Sequence, residues 1–463
     1  MKNRNIILTT ILVALGFFAL PQKAQAVSPP PDGGYPGGNT AEGQSALLSL
    51  TSGTYNTAIG LSSLQSDTAG SFNTATGAKA LLVNTGNENT ATGAEALLNN
   101  SSGSFNTANG ALALLSNTTG VRNTVNGYAA LYNNTSGSDN TANGVRALFS
   151  NTTGGGNTAN GSSALQGNTT GGPNTAIGWN ALSSNTIGEG NTATGVQALL
   201  RNTNGGFNTA NGMNALHRNT YGFENTATGN SALQNNTTGG YNTAIGAAAL
   251  GTNTTGSYNI GLGISAGFNV TTANNVIAIG ADGNNVSNSC YIGNIFNATS
   301  SGGIAVFVNS NGRLGTTTSS RRFKDEIKPM DKTSEELFGL KPVSFRYKKE
   351  VDAEGDGKSQ FGLVAEDVEK VNPDLIVRDK GGKPYSVRYD QINAMLLNEF
   401  LKEHQKVEKQ SRKIHDQDST ITQLKKEMET VVARLNEHDL EIERVSDQMQ
   451  VNSPTARVVV RNQ

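Results

Sequence analysis

Cysteine and histidine, which often act as nucleophiles, acid–base groups or metal ligands, are few in this sequence of 463 residues, with one cysteine and four histidines. The single cysteine, Cys290, excludes a disulfide framework and a cysteine-based zinc site. Glycoside hydrolysis usually requires two carboxylates about 5–9.5 Å apart, whereas the acids between positions 56 and 272 are isolated. The histidines and these acids are His217, His404, His415, His438, Asp67, Glu88, Glu95, Asp139, Glu189 and Glu224. We therefore predict no cofactor and no metal site, and polysaccharide cleavage is disfavoured.

The distribution of charge divides the chain near position 318. The whole chain has 35 basic and 36 acidic residues, a net charge of −1, but only nine of each sign precede position 319. The last 145 residues therefore hold 26 basic and 27 acidic side chains. A net charge this small does not favour binding to nucleic acid. The uneven distribution indicates two different kinds of protein joined in one chain.

The first part consists of repeats with the consensus N-T-A-x-G-x-x-A-L-x-x-N-T-T-G-x-x. Their opening asparagine falls at positions 56, 73, 89, 106, 123, 140, 157, 174, 191, 208, 225, 242 and 259, with one spacing of 16 and all others of 17. A unit of this length suits one coil of a parallel β-solenoid, with two short strands closed by turns rich in Gly and Asn. We expect inward columns of Ala and Leu, hydrogen-bonded Asn columns and a shaft of about 60 Å.

These repeats resemble the head repeats of trimeric autotransporter adhesins and of some phage tail fibres. The resemblance implies left-handed parallel β-rolls from three chains that pack side by side. The small inward residues give each roll a thin core, and association of chains would add apolar burial. The exposed Thr and Asn ladders leave ice binding as an alternative, although Thr is also a good strand former.

The N-terminus has the pattern of a secretory signal peptide. Lys2 and Arg4 precede an apolar run over 6–20, and the small-residue stretch 24–26 follows. The apolar run is shorter than the ~20 residues that span a bilayer. We predict cleavage after Ala26, no remaining transmembrane span, and a secreted or cell-surface location reached through bacterial export.

Three motifs mark the second part of the chain: S-x-x-R-x-K from Ser319 to Lys324, G-L-V-A-E-D-V over 362–368 and V-x-Y-D-Q-I over 387–392. In this order they resemble the intramolecular chaperone auto-processing domain at the C-terminus of endosialidases and other phage tail spikes. The resemblance implies that this domain drives trimerisation and then cuts itself off between Thr318 and Ser319. It also implies that Ser319 and Lys324 form the catalytic dyad of a single-turnover serine endopeptidase.

This chemistry is physically reasonable. A serine hydroxyl becomes nucleophilic when a base removes its proton, and a lysine can act as that base when burial or neighbouring cations favour its neutral form. Arg321 and Arg322 are adjacent cations. Ser320 stands where the family usually has Asp, and an uncleaved polar hinge is the alternative.

The C-terminal segment has a heptad pattern. Its apolar a positions are Phe400, Val407, Ile414, Ile421, Met428, Leu435, Ile442 and Met449, and the polar residues Gln410, Gln417 and His438 fall at d. This pattern predicts a coiled coil whose polar layers set the register. Isoleucine at a is compatible with a dimer or a trimer, so the homotrimer is implied by the family resemblance.

The predicted fold is mainly β: a β-solenoid (β-roll) shaft, then a small α+β chaperone domain that ends in a long coiled-coil helix. The predicted segments are a signal peptide (1–26), a flexible linker (27–55), repeats (56–272), a closing β region (273–318), the auto-processing domain (319–395), the coiled coil (396–450) and a tail (451–463). The predicted function is that of an exported trimeric fibre or adhesin that binds an unknown surface or glycan. The alternatives are a structural or ice-binding solenoid with an uncleaved trimerisation domain and, less favoured, a glycan-degrading spike.

Overall fold

A computed structural model describes residues 35–351 and 357–451 of the chain. The predicted signal peptide (1–26) and nearly all of the predicted tail lie outside the described residues. The chain divides into two compact units, Met1–Thr299 and Ser300–Gln463.

The first unit is a sixteen-stranded parallel sheet whose strands follow one another in sequence order. Equivalent residues of successive repeats pair in register, as Thr141 does with Thr158 and Ala142 with Ala159. At about 4.8 Å per strand the sheet is roughly 70 Å long in the hydrogen-bonding direction. The strands are β1 Thr40–Glu42, β2 Thr57–Ile59, β3 Thr74–Thr76, β4 Thr90–Thr92, β5 Thr107–Asn109, β6 Thr124–Asn126, β7 Thr141–Asn143, β8 Thr158–Asn160, β9 Thr175–Ile177, β10 Thr192–Thr194, β11 Thr209–Asn211, β12 Thr226–Thr228, β13 Thr243–Ile245, β14 Ile260–Leu262, β15 Ile277–Ile279 and β16 Cys290–Ile292. The predicted parallel β-solenoid is therefore confirmed.

Each coil contains one strand, so the prediction of two strands per coil is wrong. The A-L segment of the repeat forms turns, because its leucine has a left-handed backbone, with φ of 52° at Leu148. This conformation turns the leucine side chain inward, where it is fully buried beside Ala142 and Ala147. The Ala and Leu columns thus form the core of the solenoid, as the repeat predicts.

Two buried asparagine ladders run along the solenoid. In the first, Asn140 Nδ2 donates to Oδ1 of Asn123 in the preceding coil at 3.2 Å. In the second, Asn151 Nδ2 donates to Oδ1 of Asn134 at 2.8 Å. Both Nδ2 groups also donate to the carbonyl oxygen of Gly154, at 2.9 Å each. The expected Asn columns are therefore confirmed, and they satisfy polar groups that the turns bury.

The solenoid extends beyond the predicted repeats at both ends. At the N-terminal end, β1 lies within the segment assigned to a linker and pairs with β2. Its sequence from Asn39 to Gly43 fits N-T-A-x-G. Asn39 occupies the same position of the first ladder as the later asparagines, and its Nδ2 donates to the Gly53 carbonyl. At the C-terminal end, β15 and β16 continue the sheet after Val276 replaces the opening asparagine.

The second unit combines short β-ribbons with helices. Its strands are β17 Phe307–Val308, β18 Leu314–Gly315, β19 Val343–Phe345, β20 Gln360–Gly362, β21 Ile376–Arg378 and β22 Pro384–Val387, which form three antiparallel pairs in that order. Its α-helices are α1 Ala365–Val371 and α2 Tyr389–Val451, and its 3₁₀ helices are Arg321–Phe323, Asp331–Gly339 and Pro373–Leu375. The core of this unit is small and is formed by Val368, Leu375, Ile376, Val387 and Met395. Within the described ranges, no helix has the length and apolar composition needed to cross a membrane.

Candidate cleavage site and assembly surfaces

The structure brings Ser319 and Lys324 together. The Lys324 Nζ lies 3.4 Å from the Ser319 Oγ, within hydrogen-bonding range. The 3₁₀ helix Arg321–Phe323 separates the two residues and shortens the chain between them, with the Lys324 amide donating to the Arg321 carbonyl. The short helix therefore places the Lys324 amine beside the Ser319 hydroxyl, five positions earlier in the chain.

Both side chains of this pair are exposed in the single chain. The nearby Arg322 guanidinium lies 4.5 Å from the centre of the Phe323 ring, and that ring is also exposed. A lysine removes a proton only in its neutral form, which burial and nearby cations favour. The single chain thus supplies the geometry of the pair and the adjacent cations, but not its burial.

The residues just before Ser319 line a groove within the second unit. Thr316 and Thr317 form part of its wall, with the β17–β18 ribbon, β21, β22 and the first turn of α2. Arg388 and Asp390 add charged groups to this wall. The groove positions the chain on the N-terminal side of the Thr318–Ser319 bond.

A second serine and lysine form a cluster that the sequence analysis missed. The buried Ser334 hydroxyl contacts the Glu399 carboxylate, Asn398 Nδ2 lies 2.7 Å from the same hydroxyl, and Lys402 Nζ lies 2.7 Å from Glu399. The Glu399 carboxylate raises the pKa of Lys402, and the hydrogen bond from Lys402 lowers the pKa of Glu399. Lys402 is therefore held in its protonated form and cannot act as a base for Ser334. The cluster instead joins α2 to the 3₁₀ helix Asp331–Gly339.

The apolar face of α2 has no cover within the described chain. Twelve apolar side chains at its a and d positions are between 49% and 71% exposed: Leu396, Phe400, Val407, Ile414, Ile421, Leu424, Met428, Val431, Leu435, Ile442, Val445 and Met449. A 63-residue helix is about 94 Å long. An apolar stripe of that length is a surface for association with other helices.

The outward face of the solenoid sheet is formed by the two residues that flank the middle residue of each strand, which is a buried Ala in most strands but, for example, Val125 in β6 and Gly261 in β14. The first of these is Thr in all thirteen strands from β1 to β13, and none of these hydroxyls has a hydrogen-bond partner among the described residues. By contrast, the Thr that follows the second ladder donates along the stack, as Thr118 Oγ1 does to the Thr135 carbonyl at 2.8 Å. From β2 to β16 this outward face carries no charged residue. It becomes apolar at its C-terminal end, with Ile245, Ile260, Leu262, Ile277, Ile279 and Ile292.

The isolated acids of the solenoid do not form a glycosidase site within one column. Asp67 is buried in the second Asn ladder, where its carboxylate accepts hydrogen bonds from Gly70 and Asn84. Glu88, Asp139 and Glu224 occupy the same repeat position, and the nearest two, Glu88 and Asp139, are three coils or about 14 Å apart. That separation is above the range in which two carboxylates hydrolyse a glycoside.

Comparison with known families identifies a segment within the second unit. Residues 319–377 match the sequence profile of the family described as the chaperone of endosialidase. The match begins at Ser319 and includes Lys324 and the motif at 362–368, while the motif at 387–392 lies beyond it. No curated protein and no solved structure matches the chain significantly. The predicted resemblance of the C-terminal part is confirmed by this match.

Proposed function

We propose that the protein is an exported homotrimeric fibre whose solenoid shaft binds a surface and whose C-terminal part assembles the trimer and then cleaves itself off. One observation carries this proposal: the family match begins at Ser319, and Lys324 Nζ lies 3.4 Å from the hydroxyl of that residue. The cleaved bond is Thr318–Ser319. The reaction occurs once in each chain.

In the proposed reaction, neutral Lys324 takes the proton of the Ser319 hydroxyl as Oγ attacks the carbonyl carbon of Thr318. The C–N bond then breaks, and the Ser319 nitrogen receives a proton and becomes a free amine. The product is an ester between the Thr318 carbonyl and Ser319 Oγ. Water hydrolyses that ester, which leaves a carboxylate on Thr318 and restores the Ser319 hydroxyl.

Assembly supplies what the single chain lacks at this site. The exposed pair becomes reactive when other chains exclude water from it, because burial favours the neutral amine. The apolar stripe of α2 supports association of the second unit. The outward sheet face, which has no charged residue from β2 to β16 and isoleucines at its C-terminal end, supports parallel packing of three shafts. Cleavage is therefore coupled to trimer formation.

Electrophoresis of the exported full chain under denaturing conditions tests this proposal. The wild type is expected to give two fragments, and Ser319→Ala and Lys324→Ala are expected to give one full-length band. Ser320→Ala is the matched control, because it changes the adjacent hydroxyl and is expected to cleave. A full-length wild-type band from a folded trimer would refute self-cleavage.

Ice binding is a second candidate function, favoured by the thirteen Thr hydroxyls on one sheet face that have no hydrogen-bond partner among residues 35–351 and 357–451. Such a regular array of hydroxyls can order water only if the face stays in contact with solvent. This use therefore excludes packing of shafts on the same face. Thermal hysteresis in the wild type that is lost in Thr158→Leu would favour this candidate over the trimeric fibre. If the wild type shows no thermal hysteresis, ice binding is excluded and the face is available for association of chains.

A further inference from the structure

One corner of the solenoid carries a column of exposed aromatic residues. We define the corner column as the residue directly before the opening asparagine of each repeat. Six of the thirteen members before Asn259 are aromatic: Tyr55, Phe72, Phe105, Phe207, Tyr241 and Tyr258. Five of these side chains are more than half exposed, with Tyr55 at 62% and Phe207 at 60%. Sequence analysis gave these residues no role.

The backbone of the corner column does not favour aromatic residues. The φ angles are 57° at Tyr55 and 56° at Phe207, a left-handed region that suits glycine or asparagine best. Other coils do place Gly156 and Gly190 at this position. The Leu column adopts the same unfavourable region, but there each side chain is fully buried and stabilises the core. The exposed corner aromatics stabilise the folded chain much less than the buried leucines do. Their presence therefore indicates a role in contact with another molecule.

The column also places carboxylates between aromatic residues. Glu88 lies between Phe72 and Phe105, and Glu224 lies between Phe207 and Tyr241, one coil from each. Neither glutamate forms an ion pair within the described part of the chain. The ring of Phe207 lies over Gly190, since a Cβ built there would be 2.7 Å from that ring.

Aromatic neighbours in the column stack on each other. Tyr55 and Phe72 have ring centres 5.1 Å apart, and Tyr241 and Tyr258 have ring centres 4.7 Å apart. The column therefore presents two aromatic clusters, one near each end of the solenoid. Phe105 and Phe207, their nearest members, are six coils or about 29 Å apart.

The unpaired glutamates place the corner column on the outside of the proposed trimer. In a parallel, in-register threefold assembly, a column that faced the axis would bring three copies of Glu88 together, and three copies of Glu224. Such like-charge groups repel when they are brought together away from water. The outward sheet face has no charge from β2 onwards and avoids this cost. The corner column is therefore accessible in a trimer that packs on the sheet face.

The geometry points to the corner column as a binding edge for a polysaccharide, an inference that rests on the proposed surface-binding function of the shaft. Pyranose rings have apolar C–H faces that pack on aromatic rings, and their hydroxyls donate to carboxylates such as Glu88 and Glu224. A short oligosaccharide reaches one cluster only. A polymer that lies along the shaft contacts both clusters and gains avidity from the second. The sparse acidic charge of the column disfavours anionic polymers.

Affinity electrophoresis of the purified wild-type trimer in gels containing mannan, dextran, chitosan or alginate tests this inference. The wild type is expected to be retarded by a neutral or amine-bearing polymer and not by alginate. Two triple variants remove the clusters: Tyr55→Gly, Phe72→Gly and Phe105→Gly in one, and Phe207→Gly, Tyr241→Gly and Tyr258→Gly in the other. Because glycine suits this backbone, both variants are expected to fold. Each is expected to bind at least about tenfold more weakly than the wild type.

Trp179→Ala is the matched control, because Trp179 is an exposed aromatic residue of the shaft outside the corner column. It is expected to bind like the wild type. Equal retardation of the triple variants and the wild type would overturn the inference, and so would the absence of retardation by all four polymers. A triple variant that loses the trimer would assign the column to the chain interface and would also overturn it. The first two of these results leave cleavage before Ser319 unchanged, so cleavage tests the proposed assembly function separately.

Discussion

Replacement of Asn151 by aspartate would exchange one nitrogen for one oxygen in the middle of the second buried ladder. The Asn151 Nδ2 donates to Asn134 Oδ1 at 2.8 Å and to the Gly154 carbonyl at 2.9 Å. Its Oδ1 accepts from Asn168 Nδ2 at 2.8 Å. An aspartate has nearly the same volume and keeps the accepted bond, but it loses both donated bonds. The substitution thus separates hydrogen bonding from packing.

The magnitude follows from Asn134 Oδ1, which loses its donor, because the Gly154 carbonyl keeps its hydrogen bond from Asn140 Nδ2. An unsatisfied buried polar group costs about 1–3 kcal/mol, so we expect Asn151→Asp to lower the free energy of unfolding by at least about 1–3 kcal/mol at neutral pH. Desolvation of the charge adds to this loss. In acid the protonated carboxyl can donate to Asn134 Oδ1, and the loss falls below about 1 kcal/mol.

The natural sequence contains one carboxyl group in this ladder, which fixes the sign of the pH dependence. Burial raises the pKa of Asp67, although hydrogen bonds from Gly70 and Asn84 act in the opposite direction. A group whose pKa is higher in the folded than in the unfolded state binds more protons when folded. Its favourable effect is complete below the unfolded pKa and is lost as the pH rises through the folded pKa. Asp67→Asn is therefore expected to stabilise the solenoid near neutral pH, by about 1 kcal/mol, and to have little effect in acid.

Urea unfolding of the wild type, Asn151→Asp and Asp67→Asn at pH 7 and pH 3 measures both effects. Asp139→Asn is the control, because Asp139 is an exposed carboxylate that pairs with Arg122. The reasoning is refuted if Asn151→Asp unfolds at the same urea concentration as the wild type at pH 7. It is also refuted if the stability lost in that variant does not depend on pH.

Three further substitutions test the packing of the shaft and the assembly of the chain. Leu148→Ala is expected to cost about 2–5 kcal/mol in urea unfolding, because Leu148 is fully buried and leaves a cavity. Gly144→Ala is expected to lower the free energy of unfolding by about 3 kcal/mol or more, since a Cβ there would lie 2.6 Å from the Gly161 carbonyl. Asn143→Ala, on the outward sheet face, is the control and is expected to cost much less. Ile421→Asp places a charge in the apolar stripe and is therefore expected to abolish the trimer, and self-cleavage with it. Analytical ultracentrifugation measures the loss of the trimer, and an unchanged sedimentation coefficient would contradict the coiled coil.

The repeat predicts the solenoid because each of its columns has a physical reason. Ala and Leu fill the interior, Asn forms ladders, and Gly144 stands where a side chain would collide with the next coil. The single strand per coil could not be predicted from the pattern, because the A-L pair fits a strand as well as a turn. The first coil was missed although Asn39 to Gly43 fits the consensus, because the Pro- and Gly-rich residues before it indicate a linker.

The candidate site was predicted through the resemblance to the auto-processing domain. A serine and a lysine five positions apart do not by themselves indicate a catalytic site. The proximity of Ser319 and Lys324 depends on the short helix between them, which the sequence analysis did not predict. The cluster of Ser334, Glu399 and Lys402 joins residues more than 60 positions apart. Folding alone brings such residues together, and no local pattern signals it.

The masses of the two fragments of the purified wild-type protein test the central claim most directly, because they locate the cut to a single bond. We expect one fragment that ends in a free carboxylate at Thr318 and a second fragment whose free amine belongs to Ser319. We also expect that neither fragment forms in Ser319→Ala or Lys324→Ala. A mass equal to the uncut chain in folded wild-type trimers, or a cut at any other bond, would contradict self-cleavage before Ser319.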